Sequence, residues 1–237
     1  MRDDLTYRVF MPGDEKRIAA MTAGEPLAVE LKHFVRWEHP VTEQGALWLG
    51  SDKKGRLRRV VFDNSSYTAY FSPKGARFYE NTPGASVFSS PEEKNRLCVM
   101  VYAGKRAGDA QNGVRELAYP MLRSAFEAIY GTKELPDGAR EAFVRRCRAV
   151  NHGSGVTFGV VQNGEVLSTG SVIASDRKTA LIGDIFTLPA CRCRGYAALV
   201  LDACVAWAVS RNRTPVLLCR EEMYGYYRKR GFKRYYG

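Results

Sequence analysis

Nowhere in the 237 residues does an apolar run approach the roughly 18 residues that a membrane-spanning helix needs. The start, Met1-Arg-Asp-Asp, is charged where a secretory signal would turn apolar, so a cytoplasmic location is expected. The six cysteines are scattered through mostly apolar segments, not packed as in a small secreted scaffold, and read as reduced thiols. Solenoid-length repeats and low-complexity tracts are missing. So is the G-x-x-x-x-G-K-[ST] loop, which leaves nucleotide hydrolysis without support. A lone Cys191-x-Cys193, with no nearby histidine and no second pair, does not make a zinc site, and no metal is expected.

What is present is a chain able to bury a core, with 45% apolar residues, and a formal charge of +11 that is unevenly placed. Residues 1–90 hold 13 Lys/Arg against 11 Asp/Glu, whereas residues 91–237 hold 23 against 14. A basic C-terminal part suits a polyanionic ligand such as a coenzyme A, or a nucleic acid. Sign alone does not choose. The terminal run Arg228-Lys229-Arg230 with Lys233-Arg234 and Tyr235-Tyr236 could stack on nucleic acid, but the solvated side of a last helix and strand is the plainer reading.

Residues 1–90 predict a strand at 6–11, helices at 14–22 and 27–37, and strands at 46–49, 58–62 and 67–71, broken by turn signals at Gly55, Asn64-Ser65-Ser66 and Pro73-Lys74-Gly75. Their role is unassigned. The Ser- and Gly-rich stretch 83–91 marks a boundary, giving an accessory region 1–90 and a second domain 91–237. In the latter a buried strand is expected at 97–103 and a polar loop at 104–113. An amphipathic helix follows around Leu117 to Ile129 and ends at Gly131. A second helix starts after Leu135-Pro136-Asp137-Gly138. It should bury Phe143, Val144, Cys147 and Val150 and leave Arg145, Arg146 and Arg148 mainly exposed. Asn163-Gly164 joins strands 155–161 and 165–173 as a type I′ hairpin. Then come a strand at 179–187, a helix at 196–210 with Val200, Cys204, Trp207 and Ala208 on one face, a strand at 215–219, a helix at 222–230 and an extended end from Phe232.

The chemistry concentrates in Pro189-Ala-Cys-Arg192-Cys-Arg194-Gly195-Tyr196-Ala197, between strand and helix. A tight turn there exposes consecutive backbone N–H groups, and the following helix adds its positive N-terminal end, which together bind anions. Gly195 permits close approach of a pyrophosphate. Arg192 and Arg194 supply charge-assisted hydrogen bonds.

This stretch resembles the acyl-CoA signature [RQ]-x-x-G-x-[GA] of the GNAT superfamily of N-acetyltransferases, through Arg192, Gly195 and Ala197. Ile185-x-Thr187-x-Pro189 before it and Tyr226-Tyr227-Arg-Lys-Arg-Gly231-Phe232 after it resemble further family motifs. The resemblance implies an α/β fold: a mixed sheet flanked by helices, with the N-terminal α/β extension completing that sheet or packing on it. It implies transfer of an acyl group, most readily acetyl from acetyl-CoA as co-substrate, to an amine on a small molecule, peptide or protein. A module that binds acyl-CoA or a partner without catalysis is the alternative.

By the same resemblance, the pantetheine arm would pair with Ile185, Phe186 and Thr187, and a backbone N–H near Ile185 or Phe186 would polarise the thioester carbonyl. Arg192, Cys193, Arg194, Gly195, Tyr196 and Ala197 would hold the pyrophosphate. Tyr227 would protonate the departing thiolate, although a packing aromatic is the plainer role and Tyr226 could take either job. Asp184 is a candidate base and equally a hydrogen-bonded structural acid; Glu165 and His152 rank below it. Cys193 stands where the family often has glycine, and a tolerated small residue outweighs a thiol nucleophile. Family members usually add one more strand after the Gly-Phe strand, whereas this chain stops five residues past Phe232. Residues 1–90 are therefore expected to fill or cover that position.

Overall fold

The structure is a computed structural model that describes residues 5–37, 47–64, 67–81, 92–104 and 113–236. The boundary read at 83–91, most of the polar loop, and Ser65-Ser66 lie outside them. By internal contacts the chain forms two compact units. One comprises Met1–Met100, Leu218–Lys229 and Arg234–Gly237; the other comprises Val101–Leu217 and Arg230–Lys233.

In the first unit β1 (Thr6–Val9), β2 (Leu47–Ser51), β3 (Leu57–Asp63), β4 (Tyr67–Ser72) and β5 (Gly75–Glu80) follow one another as an antiparallel sheet in the order β1-β2-β3-β4-β5. Strand β5 is missed by the sequence reading because its first residue is the glycine of the turn signal. Pro73 and Lys74 alone form the loop, and Ser72 pairs with Gly75 at φ +107°. Helices α1 (Glu15–Met21) and α2 (Ala28–Trp37) supply Ile18, Val29, Leu31 and Phe34 as buried residues, Leu27 just ahead of α2 is buried too, and the strands bury Leu47, Leu49, Val60, Phe62 and Phe71. The Phe34 and Phe62 rings lie 5.2 Å apart. Arg8 pairs with the buried Asp14 just ahead of α1 at 2.6 Å.

A second, seven-stranded sheet has the order β12-β6-β11-β10-β9-β8-β7. Its strands are β6 (Cys98–Tyr102), β7 (Val114–Glu116), β8 (Val156–Gln162), β9 (Glu165–Ser175), β10 (Thr179–Thr187), β11 (Thr214–Cys219) and β12 (Phe232–Arg234). Between them run α3 (Met121–Tyr130), α4 (Asp137–Asn151), α5 (Tyr196–Val209) and α6 (Tyr224–Lys229). The hairpin is as read: Gln162 pairs with Glu165, and Asn163 and Gly164 take φ +50° and +82°. Gly131 caps α3 at φ +67°. Three-residue β7 is too short to show a period and was not anticipated.

Two expectations are corrected. The strand between β11 and β12 is Cys98–Tyr102, not a segment of residues 1–90, whose described strands pair among themselves. Met100 at its centre is fully buried, as a strand with neighbours on both sides requires. Arg146 is not exposed: it is buried at 7% exposure, with Ala139 and Ala149 on the same face of α4, while Val144 is 41% exposed. An arginine had entered the inward stripe, and the apolar pattern alone rotated the helix away from it.

Candidate active site

Parallel pairing of β10 with β11 runs from Thr179↔Thr214 to Ile182↔Leu217, after which β10 continues to Thr187 paired with β9 alone. Among the described residues, the last part of β10 therefore has an edge on which no strand is registered. The register to β9 shifts between Gly183, opposite Ser171, and Phe186, opposite Thr169. Asp184 and Ile185 thus face Gly170 alone, a β-bulge, with Asp184 at φ +53°. The Asp184 carbonyl accepts from Thr169 Oγ1 at 2.9 Å, and its Oδ2 accepts from Arg146 Nε and Nη2 at 3.0 and 2.6 Å. Strand alternation after the bulge places the remaining groups. Leu188 N–H donates to Leu167 O, and the Phe186 carbonyl accepts from Ser168 Oγ, both toward β9. The N–H groups of Ile185 and Thr187 consequently point to the open edge.

Beyond Thr187 the chain makes a 3-10 turn at Pro189–Cys191 and enters α5 through Cys193 at φ +61° and Gly195 at φ +83°. Gly195 accepts the first helical bonds, from Ala198 N–H at 2.9 Å and Leu199 N–H at 3.2 Å. A Cβ on Gly195 would meet nothing within 4 Å, so the glycine is required by its backbone conformation, over a space that is open. Cys193 adopts the same left-handed region, which accounts for glycine being the natural residue of such a turn. Among the described residues, the N–H groups of Cys193, Arg194, Gly195, Tyr196 and Ala197 have no acceptor within the protein. They form an arc of donors at the positive end of a 14-residue helix. Arg192 and Arg194 are exposed beside it, and Arg192 Nε donates to Thr187 O at 3.3 Å. The Tyr196 hydroxyl accepts from Gln162 Nε2 at 3.3 Å.

The edge at Ile185–Thr187 and the donor arc at Arg192–Ala197 thus lie on one continuous stretch of a single unit, with Asp184 at its start. Tyr227 belongs to the other unit. It is 8% exposed, stands edge-on to Tyr226 at 5.1 Å, and burial raises its phenol above the usual range, with Cys219 and Tyr226 adding to the effect. Glu165, at the exposed hairpin end, and His152, at the C-cap of α4, are apart from the arc in the sequence and exposed. Arg146 is the site residue that sequence reasoning missed. Its signal was available: Ala139, Ala142, Arg146 and Ala149 recur at helical spacing. Among the described residues no group of three or more His, Cys, Asp and Glu side chains could hold a metal ion. No described helix is long and apolar enough to cross a membrane.

A mixed sheet whose inner strand ends in a donor-lined turn at a helix N-terminus defines an α/β domain with a turn of the kind that suits anionic groups. Residues 116–232 match the Acetyltransferase (GNAT) family and are a GNAT acetyltransferase domain. A GCN5-related N-acetyltransferase from Sphaerobacter thermophilus shares the fold over 98% of this chain and 93% of its own, with 13% identity and a TM-score of 0.57. A GNAT-family protein from Novosphingobium aromaticivorans aligns over 59% of each chain at 19% identity and a TM-score of 0.48. A predicted acetyltransferase from Clostridium acetobutylicum, solved with acetyl-CoA, aligns over 51% of this chain and 88% of its own at 20% identity and a TM-score of 0.42. No curated protein matches the sequence.

Proposed function

We propose that this chain transfers the acetyl group of acetyl-CoA to an amine by direct attack within a ternary complex. The observation that carries the reading is the arc of five acceptor-free N–H groups at the start of α5, continuous with the open edge of β10. The arc, with Arg192 and Arg194, suits the pyrophosphate of CoA, and the edge suits the amide-bearing pantetheine arm, which can pair as a strand does. The thioester carbonyl then meets the outward N–H of Ile185, which stabilises the negative charge that develops on its oxygen as the amine adds. The resemblance of Tyr226-Tyr227-Arg-Lys-Arg-Gly231-Phe232 to the family motif assigns to Tyr227 the donation of a proton to the departing CoA sulfur. As the tetrahedral adduct collapses, the carbon–sulfur bond breaks, the acetyl carbon stays on nitrogen, and the amine proton passes to solvent or an adjacent base.

The test is release of free CoA thiol from acetyl-CoA across a panel of primary amines, followed colorimetrically, alongside calorimetric titration with acetyl-CoA. Turnover with at least one amine supports the reading. Binding without turnover on any amine would leave a non-catalytic acyl-CoA module, and absence of binding would remove both.

A further inference from the structure

Arg146 and Asp184 form an ion pair that the transfer chemistry leaves unused. Arg146 reaches from α4 with 8% of its side chain exposed, and both of its contacting nitrogens converge on Asp184 Oδ2. Burying a guanidinium is costly unless its partner is held well, so this pair is a strong tether between α4 and one residue of β10. That residue is the one at φ +53°, where an L side chain is disfavoured and only glycine sits freely. The bulge it forms sets which amides face the open edge. One extra residue between Gly183 and Phe186 turns the N–H of Ile185 outward, and losing it shifts the alternation by one and turns that N–H toward β9.

We infer that Arg146 is a positioning residue that, through Asp184, fixes the β10 bulge and so aims the Ile185 N–H at the thioester carbonyl. The inference rests on the acetyltransferase reading and deepens it. Thr169 Oγ1 completes the device by holding the Asp184 carbonyl from the β9 side. Gly170, opposite the bulge, leaves room for it: a Cβ there would come within 2.8 Å of Ile185 Cδ1. In this arrangement the Asp184 carboxylate works as an anchor for backbone shape, and its proton affinity is not what the reaction uses.

The backbone role and a role for the carboxylate itself separate in double variants that leave no unpaired buried charge. In Arg146→Met/Asp184→Gly the tether is gone, but glycine takes the left-handed conformation unaided. In Arg146→Met/Asp184→Ala both the tether and the conformational freedom are gone. The readout is the 13C NMR shift of [1-13C]acetyl-CoA bound to each protein, since a hydrogen bond to the carbonyl moves that resonance downfield. The inference expects a downfield shift in the wild type, its retention in the glycine double variant, and loss of most of it in the alanine double variant, with circular dichroism showing all three folded. Equal shifts in the two doubles, or loss of the shift from both, would overturn it. Wild type that binds acetyl-CoA without any downfield shift would overturn it as well, leaving the binding platform intact. Wild type that does not bind acetyl-CoA at all would instead overturn the acetyltransferase reading on which it stands.

Discussion

Arg192 Nε donates to the carbonyl of Thr187 at 3.3 Å, so the first arginine of the turn is tied back to the end of the strand that the chain has just left. Arg194 has no such tie among the described residues and is exposed. The two should therefore differ. Arg194→Ala is expected to raise the dissociation constant of CoA about tenfold, the effect of losing a charge-assisted bond of about 1.5 kcal/mol. Arg192→Ala should cost less. Calorimetric titration at low and high salt checks both, and the penalty for Arg194→Ala should shrink as salt rises.

Tyr227→Phe removes a hydroxyl and keeps the packed ring. The expected result is a kcat lowered about a hundredfold, as for loss of a general acid, with KM for acetyl-CoA close to the wild-type value. Steady-state kinetics with the best amine from the panel measure the split. A rate unchanged by the substitution would take the proton-donor role away from Tyr227.

Gly195→Ala places a methyl where space is open but φ is +83°, so its cost is conformational, about 1 kcal/mol or somewhat more. Cys193→Gly does the reverse at φ +61° and is expected to stabilise by a few tenths of a kcal/mol up to about 1 kcal/mol. Urea titrations of the two variants should move the midpoint in opposite directions. The same sign for both would mean that the turn is not held in these conformations.

Buried thiols are expected to make the protein sensitive to alkali. Burial, with help from the Glu221 carboxylate that accepts its hydrogen bond, pushes the Cys98 thiol up to about 11; burial and the neighbouring Cys98 push Cys219 up to about 12; burial drives Cys204 up as well. The sign is fixed by the thiol being neutral when protonated. The folded form keeps its protons above the ordinary thiol value, near 9, where the unfolded form has lost them. The thiol contribution to stability is thus expected to be full below about pH 8.5 and to be lost as pH rises toward 11 to 12. Melting temperatures across pH 8 to 11 should decline, and Cys98→Ala should make the decline shallower.

How much was legible in the sequence follows from how local each signal is. Asn163-Gly164 and Gly131 specify their turns through their own backbone preferences, so the hairpin and the end of α3 could be read directly. The donor turn was legible for the same reason. Anion binding there needs only a glycine at positive φ, arginines nearby and a helix start, all within nine consecutive residues. Those features, with the motif around Gly231-Phe232, sufficed for the family and for the general chemistry.

Tertiary structure alone decided the rest, because each case joins residues distant along the chain. The position of Cys98–Tyr102 between β11 and β12 is a strand pairing that no local pattern encodes. The burial of Arg146 is worthwhile only because Asp184, 38 residues on, supplies its counter-charge. Whether Asp184 continues a strand or forms a bulge depends on the register of β9 against β10, which is set by packing across the sheet. The sequence by itself determined that a donor-lined platform matching the family pattern would be built between residues 184 and 197. Which backbone amide that platform turns outward was settled by the fold.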